Sequence, residues 1–439
     1  MDRRHSRLAG IVILVAAIAC VGSAAASAER GAAAAPSTAS TRVVPGITVL
    51  LEDSLNLIMG KRVGLLTNQT GIDEHGRSDI DLLDRFRVEN RPGPRLVALF
   101  SPEHGIRGTE DRLNLASGRD ARTGLPIYSL YGATVLGPAD STLRDVDVLV
   151  IDLQDLGARP WTYVASTVYA MRSAARNHIP VLVLDRPNPI TGDHVEGPLL
   201  DSTIAYAGSH SAARPANPTG LYPIPERHGL TMGELALFYD DVLGLHADLH
   251  VIPMRNWHRA MWFDETHLPW VKPSPNMPSL ASATLYPGMV WLEALNVSVG
   301  RGTDIPFQRF GAPWLDARRA ADLLNDRELP GLRFRAERFT PVHPTDEKYG
   351  GRSIPGVRIV ITDRDAVQST RLGAAVIWAV AKLAPDSLRI RIDSFDKLVG
   401  VPSAREALLA GADPDSIIDA SMPQTIAFRA RVKPYVLYR

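Results

Sequence analysis

Four short apolar runs, each closed by a polar cluster, set the pattern of the first half of the chain. Residues 62–66 lead into Thr67-Asn68-Gln69-Thr70-Gly71, and residues 96–100 into Ser101-Pro102-Glu103-His104-Gly105. Residues 148–151 lead into Asp152-Leu153-Gln154-Asp155, and residues 181–184 into Asp185-Arg186-Pro187-Asn188-Pro189. Runs this short, rich in Val, Ile and Leu and spaced by helix-length stretches, predict strands of a parallel sheet buried on both faces. Ligands of an open parallel sheet sit beyond the carboxyl ends of its strands. One edge should therefore gather Asn68, Glu103, His104, Asp152, Gln154, Asp155 and Asn188. Of these, Asn68, Glu103, Asp152 and Asn188 are expected to face a single cleft.

Helices are predicted between the strands at 79–86, 163–177 and 231–245, and a further strand at 249–253. The third helix opens on Thr231 with Glu234 three residues on, a capping box. This alternation makes residues 42–272 a doubly wound α/β domain. Residues 258–287, rich in Trp and Pro, include Lys272-Pro273-Ser274-Pro275-Asn276-Met277-Pro278. Such a stretch is expected to be an ordered connection and neither a long helix nor a central strand. Beyond it, helices at 316–325 and 370–383 and strands at 332–339 and 357–362 predict a smaller α+β domain over 273–439, completing the cleft.

Composition narrows the partners. The 439 residues suit two domains, 45% hydrophobic and 22% charged residues suit a globular protein, and a formal net charge of +0 gives no reason to expect nucleic acid. Residues 1–30 read as an export leader: Arg3, Arg4 and Arg7, an apolar core, then Ala26-Ser27-Ala28 as a cleavage site. A lipoprotein leader is the competing reading, because the single cysteine, Cys20, follows Ala17-Ile18-Ala19. The protein is thus expected to be exported, periplasmic or extracellular, with no membrane contact beyond an anchor at Cys20. Residues 31–41 read as a flexible tether.

The chain contains no G-x-S-x-G elbow, H-E-x-x-H or G-x-x-x-x-G-K motif, and Gly300-Arg301-Gly302 lacks the third glycine of a dinucleotide site. No cofactor and no metal is expected. Glu103, at a strand mouth between Pro102 and His104-Gly105 with Arg107 nearby, is the sharpest candidate for a general acid. Asp152 and Asp155, with Gln154 and Arg159, offer carboxylates on a second strand end, and two acids suit glycoside chemistry. Asn68, Asn188 and Asn276 carry amides able to read hydroxyl or acetamido groups. Glu293 and Arg301 fall in a punctuated stretch running to Thr303, and a guanidinium fits a carboxylate bidentately. Gly300 and Gly302 are expected to let that backbone approach a ligand closely.

These motifs are specific enough to resemble a known family. Thr67-Asn68-Gln69-Thr70-Gly71, Ser101-Pro102-Glu103-His104-Gly105, Asp152-Leu153-Gln154-Asp155, Asp185-Arg186-Pro187-Asn188-Pro189 and the stretches 273–278 and 296–307 are similar to those of the bacterial exo-β-N-acetylmuramidases. That family was long catalogued as a domain of unknown function. The resemblance covers 43–439. It implies a Rossmann-like N-terminal domain, a smaller C-terminal domain and a site between them. It also implies removal of terminal N-acetylmuramic acid from the non-reducing end of peptidoglycan fragments, with Glu103 as acid. The second catalytic group stays open between a protein carboxylate and the substrate's acetamido oxygen. Where the family usually reads L-E-G-T-N-V-S, this chain has Ala294-Leu295 in place of Gly-Thr, a change expected to bear on substrate preference. The alternatives are a related exo-hexosaminidase on another 2-acetamido sugar and a non-catalytic peptidoglycan-binding protein.

Overall fold

Helices on both faces of one sheet bury the apolar runs. The computed structural model describes residues 42–107, 117–131, 137–205 and 219–439; the expected leader and tether lie outside them. The first domain runs α1 (Gly46–Asp53), β1 (Arg62–Thr67), α2 (Asp79–Val88), β2 (Arg95–Ser101), β3 (Gly118–Arg119), β4 (Pro126–Ser129) and α3 (Asp140–Leu143). It continues through β5 (Val148–Asp152), α4 (Tyr163–Arg176), β6 (Val181–Leu184), β7 (Glu196–Leu199), β8 (Pro225–Arg227), α5 (Met232–Val242) and β9 (Leu249–Ile252). Side chains alternate along each strand. Leu66, Leu149, Ile151, Val181 and Val183 pack in the core that contains α4 and α5. Val63, Leu65, Val148, Val150, Leu182 and Leu184 pack with Ile47 and Leu50 of α1 and Leu83 of α2. Two apolar faces on a period of two give the unbroken hydrophobic runs.

The strand order is β3-β4-β2-β1-β5-β6-β9, parallel throughout except for the edge strand β3. The chain steps outward from β1 through β2 to β4, then returns to lay β5 beside β1. The order therefore reverses between β1 and β5, the switch point at which such sheets place ligands. The register there pairs Thr67 with Asp152. Sequence-readable caps fix the helix starts: the Ser78 hydroxyl accepts from the Ile80 N–H, and the Thr231–Glu234 capping box is formed in full.

The second domain contains α6 (Leu280–Met289), β10 (Arg309–Gly311), α7 (Ala317–Asn325), β11 (Leu332–Phe339), β12 (Ile354–Ile361) and α8 (Ser369–Leu383). Its strands form an antiparallel sheet in the order β10-β12-β11. Four more helices follow: α9 (Ile392–Val399), α10 (Pro402–Leu409), α11 (Pro414–Asp419) and α12 (Met422–Val432). The end of the predicted connection is corrected here, since α6 begins at Leu280 and carries Pro287. Pro287 sits in the helix's last turns, where the chain passes into a 3-10 turn over Val290–Ala294. Packing overrides its poor helix propensity. Gly288 of α6 lies against α8 so closely that a Cβ would stand 1.7 Å from the Ser369 carbonyl oxygen.

One of the hydrophobic cores among the described residues, the one that contains α4 and α5, runs through both domains. Phe428 of α12 and Tyr435 meet Phe238 of α5 edge-on at 5.9 and 5.5 Å. The Tyr438 hydroxyl reaches back to Asp185 at the end of β6, 2.6 Å away. Asp185 also accepts from the Thr231 hydroxyl at 2.7 Å and the Gly233 N–H at 2.8 Å. Burial nevertheless pushes its carboxyl up to about 7, against the pull of these donors.

The folded chain should therefore keep a proton on Asp185 between about pH 4 and about pH 7, where the unfolded chain has released it. In that window the native state binds more protons, so this residue's contribution to stability declines as pH rises. Asp185→Asn should flatten urea-derived unfolding free energies between about pH 4 and about pH 7, by on the order of a few kcal/mol across the range. Parallel curves for the two proteins would refute the assignment.

Candidate active site

Beyond the end of β2, a cavity of about 230 Å³ opens between the domains. Its walls include Glu103 and His104 after β2, Trp161, Thr162 and Tyr163 at the start of α4, Ser274, Asn276 and Met277 from the proline-rich connection, and Tyr286, Glu293, Arg301 and Phe307 from the second domain. Local backbone sets the first group. His104 and Gly105 both have positive φ, 68° and 74°, and the Gly105 N–H closes a turn on the Pro102 carbonyl at 3.1 Å. The chain thus reverses directly after Glu103. Thr162 precedes α4, and its hydroxyl donates to Glu103 Oε2.

The opposite wall is a charge pair. Arg301 donates to Glu293 Oε1 through Nε at 2.7 Å and lies within 2.6 Å of the same oxygen through Nη2. Its guanidinium sits 5.7 Å from the Phe307 ring centre, a cation–π distance. Between the walls runs an aromatic stack with ring centres 5.0–5.6 Å apart, Tyr163–Trp161–Tyr286–Phe307, each pair edge to face. Burial, then the Glu103 charge, pushes the Tyr163 hydroxyl well above its usual range, and burial followed by Glu293 does the same at Tyr286. Both phenols stay protonated, so they can donate hydrogen bonds. The Tyr163 hydroxyl uses its proton on the Pro273 carbonyl at 2.5 Å, tying α4 to the connection.

Of the residues expected at the sheet edge, the cavity gathers Glu103 and His104, joined by Asn276, Glu293 and Arg301. The expectation of one cleft shared by Asn68, Glu103, Asp152 and Asn188 is corrected, because only Glu103 of these four lines it. Asp152 is fully buried and paired with Arg186, whose Nη2 donates to Oδ2 at 2.9 Å. Asp79 adjoins that pair, and burial first and the Asp152 charge second push its carboxyl well above the usual range. Asp155 accepts from the Gly157 N–H at 2.7 Å and faces His228 at 3.4 Å. Gln154 donates to the carbonyls of Asp155 and Pro187 at 2.8 and 2.7 Å.

The remaining polar residues also serve the fold. Asn188 accepts from the Ile190 N–H and donates to the Leu230 carbonyl, at 3.2 and 3.0 Å. Asn68 accepts from the backbone and hydroxyl of Thr70 at 2.9 and 2.6 Å, one layer behind Tyr163. Arg159 is buried against Glu226 at 2.5 Å and donates to the Lys397 and Leu398 carbonyls of α9. Arg107 points outward to Asp120 at 2.6 Å. Buried carboxylates and guanidinium groups at these positions need partners, and they find them in each other.

Two further expectations change. Gly300 and Gly302 have φ of 80° and 76°, but the space beside them is filled by the protein. A Cβ on Gly300 would meet Arg309 at 2.7 Å, and one on Gly302 the Val342 carbonyl at 2.6 Å. The glycines let the loop pack on its own domain. Ala294 and Leu295 are 1% and 2% exposed, packed in the shared core and absent from the cavity wall. That substitution therefore changes packing behind Glu293. Sequence reasoning passed over Trp161, Thr162 and Tyr163, although two aromatic residues flanking a threonine after Arg159-Pro160 at a helix start were available as a signal.

Comparison with known proteins agrees with this architecture. The model of the exo-β-N-acetylmuramidase NamZ N-terminal domain matches residues 63–281, and that of its C-terminal domain residues 284–438. The peptidoglycan β-N-acetylmuramidase NamZ of Bacillus subtilis (strain 168) is 40% identical over 399 residues, covering 90% of this chain and 92% of that protein. Two crystal structures of DUF1343 family proteins from Bacteroides fragilis NCTC 9343 superpose with TM-scores of 0.80 and 0.69, at 36% and 28% identity. Each comparison covers 91% of this chain and 99% of the other. The chain belongs to the exo-β-N-acetylmuramidase NamZ family.

Proposed function

We propose that this protein is an exported glycoside hydrolase that removes terminal N-acetylmuramic acid from the non-reducing ends of peptidoglycan fragments. The observation that carries this reading is the pairing of two walls across one aromatic cavity: Glu103 held by Thr162 on one, Glu293 with Arg301 on the other. Aromatic rings favour the apolar face of a pyranose, while the charge pair suits a sugar bearing both an acid and an amide. Export rests on the leader read in residues 1–30.

Glu103 acts as general acid, giving its proton to the glycosidic oxygen as the bond to the anomeric carbon breaks. The bond lost at the anomeric carbon is replaced by one to water, brought in through Glu293 or after a first bond to the substrate's acetamido oxygen, since Asp152 and Asp155 are engaged behind the cavity. The Arg301 guanidinium receives the lactyl carboxylate of the muramic acid, and Glu293, already on Arg301, accepts from the sugar's N–H or hydroxyl groups. A desolvated carboxylate needs such a cation.

Glu103→Gln should keep its melting behaviour and saccharide binding while losing about 10²–10⁴ in turnover of a chromogenic N-acetylmuramide. Asp152→Asn should do the reverse. It breaks a buried ion pair and should cost on the order of 3 kcal/mol of stability, since the buried Arg186 guanidinium loses its partner. Turnover per folded Asp152→Asn molecule is expected to stay near wild type. Full activity in a folded Glu103→Gln protein would remove Glu103 from the mechanism. Arg301→Ala should narrow the preference for N-acetylmuramide over the matching glucosaminide, because only the former carries the acid. If that preference survives in Arg301→Ala, another group receives the carboxylate.

A further inference from the structure

Behind the Glu293–Arg301 wall lies a loop that touches none of the cavity's open space. It joins β11 to β12 and spans residues 340–353. Its chain is unusual: His343, Glu347 and Tyr349 all have positive φ, 46°, 57° and 58°. Non-glycine residues in that region are strained and persist only where the surroundings over-determine them. The Gly351 N–H closes the loop's base on the Pro341 carbonyl at 2.8 Å.

Four groups of this loop, Val342, Thr345, Lys348 and Tyr349, reach the segment that carries Glu293 and Arg301. Lys348 Nζ donates to three carbonyls, those of Glu293 at 3.0 Å, Val297 at 3.1 Å and Leu292 at 3.4 Å. These lie on and just beyond the 3-10 turn Val290–Ala294, where the dipole favours a cation; the Leu292 carbonyl also accepts from the Leu295 N–H at 3.0 Å and the Glu293 carbonyl from Arg391 Nη2 at 2.9 Å, so Lys348 ties these groups to Val297. The Tyr349 hydroxyl donates to the Asn296 carbonyl at 2.6 Å, and the Val342 N–H to the Gly302 carbonyl at 2.8 Å. The Thr345 hydroxyl stands between Arg301 Nη1 at 3.3 Å and Asn276 Nδ2 at 3.4 Å, two groups of the cavity wall. Asp346, 3.6 Å from the Lys348 ammonium, supplies the countercharge in a half-buried setting.

We infer that Lys348, with Thr345 at the tip of the same loop, is a positioning residue that sets the Glu293–Arg301 pair and thereby the preference for an acid-bearing 2-acetamido sugar. This rests on the function proposed above. Lys348 reaches no substrate. It fixes the backbone on both sides of Glu293 through one ammonium, and three convergent carbonyls suit its compact, rotatable donors better than any apolar side chain. Releasing those carbonyls lets the turn move relative to Glu103, and displacements of about 1 Å are enough to cost a well-aligned site around 10²-fold.

The test measures binding in a Glu103→Gln background, so that turnover does not enter, using N-acetylmuramic acid and N-acetylglucosamine as separate ligands. Lys348→Met should weaken N-acetylmuramic acid binding by about tenfold or more while changing N-acetylglucosamine by about twofold at most. Lys348→Arg should recover part of the difference, and Thr345→Val should narrow the ratio in the same direction. A purely structural role predicts equal losses for both sugars, and that result overturns the inference. So does an unchanged ratio in Lys348→Met when Arg301→Ala lowers it. Should Lys348→Met fail to fold, Thr345→Val decides: a wild-type ratio in that variant rejects the role. A parent protein with no preference between the two sugars would instead count against the proposed function.

Discussion

The crossing of α6 and α8 at Gly288 and Gly373 is the contact on which the site depends. Neither position has room for a side chain, since a Cβ on Gly373 would lie 2.5 Å from the Gly288 carbonyl oxygen. Helices that meet backbone to backbone have little freedom to slide, because interiors are close-packed and resist small displacements. The turn carrying Glu293 begins one residue after α6 ends. The crossing therefore decides where the second carboxylate and its guanidinium stand relative to Glu103, which is fixed independently by the end of β2 and by Thr162. Two rigid supports from different domains meet across a few side chains, and the shared core behind them discourages hinge motion.

Charge in this protein is divided between two uses. Behind the cavity, Asp152 with Arg186 and Arg159 with Glu226 are almost wholly removed from solvent and neutralise one another. Such pairs rarely add much net stability over apolar packing, but breaking one leaves an uncompensated buried charge. Burial works against this pairing, raising the Glu226 carboxyl while Arg159 opposes the rise. At the cavity wall the same residue types are partly exposed and meet open space. Arg301 and Glu293 retain about a fifth of their side-chain exposure, enough to meet a ligand while still being held.

The Arg159–Glu226 pair also links the two uses. Arg159 donates to carbonyls at the end of α9, and Leu398 of that helix lines the cavity. Residues that look like catalytic acids and cations at the sheet edge thus hold the domains in the arrangement that makes a cavity elsewhere. This explains why several of them stand one layer behind the site and not within it.

Much of the architecture was legible along the chain. Apolar runs, caps and turn residues are local signals, and they marked the strands β1, β2, β5 and β6, the helices α2, α4, α5, α7 and α8, and the strands β11 and β12 closely. Family motifs pointed to the whole chain's kinship, and the punctuation around Glu103 and Arg301 pointed to residues that do line the cavity. The assignment of Asp152, Asp155 and Asn188 to that cleft did not follow, because a polar residue after a strand reads the same whether it faces open space or a buried guanidinium. The choice depends on Arg186, Asp79, His228 and Leu230, which are distant in sequence. Helix α6 was obscured by its own proline and by the prolines before it. The Lys348 loop carries no sequence signal at all, since an ammonium gathering three carbonyls exists only once the hairpin has folded against the second domain. Sequence by itself determined which segments would be strands and helices, through local periodicity. Only the tertiary structure decided which polar groups would be spent on one another and which would be left facing the cavity, because partners for buried charge are found through space.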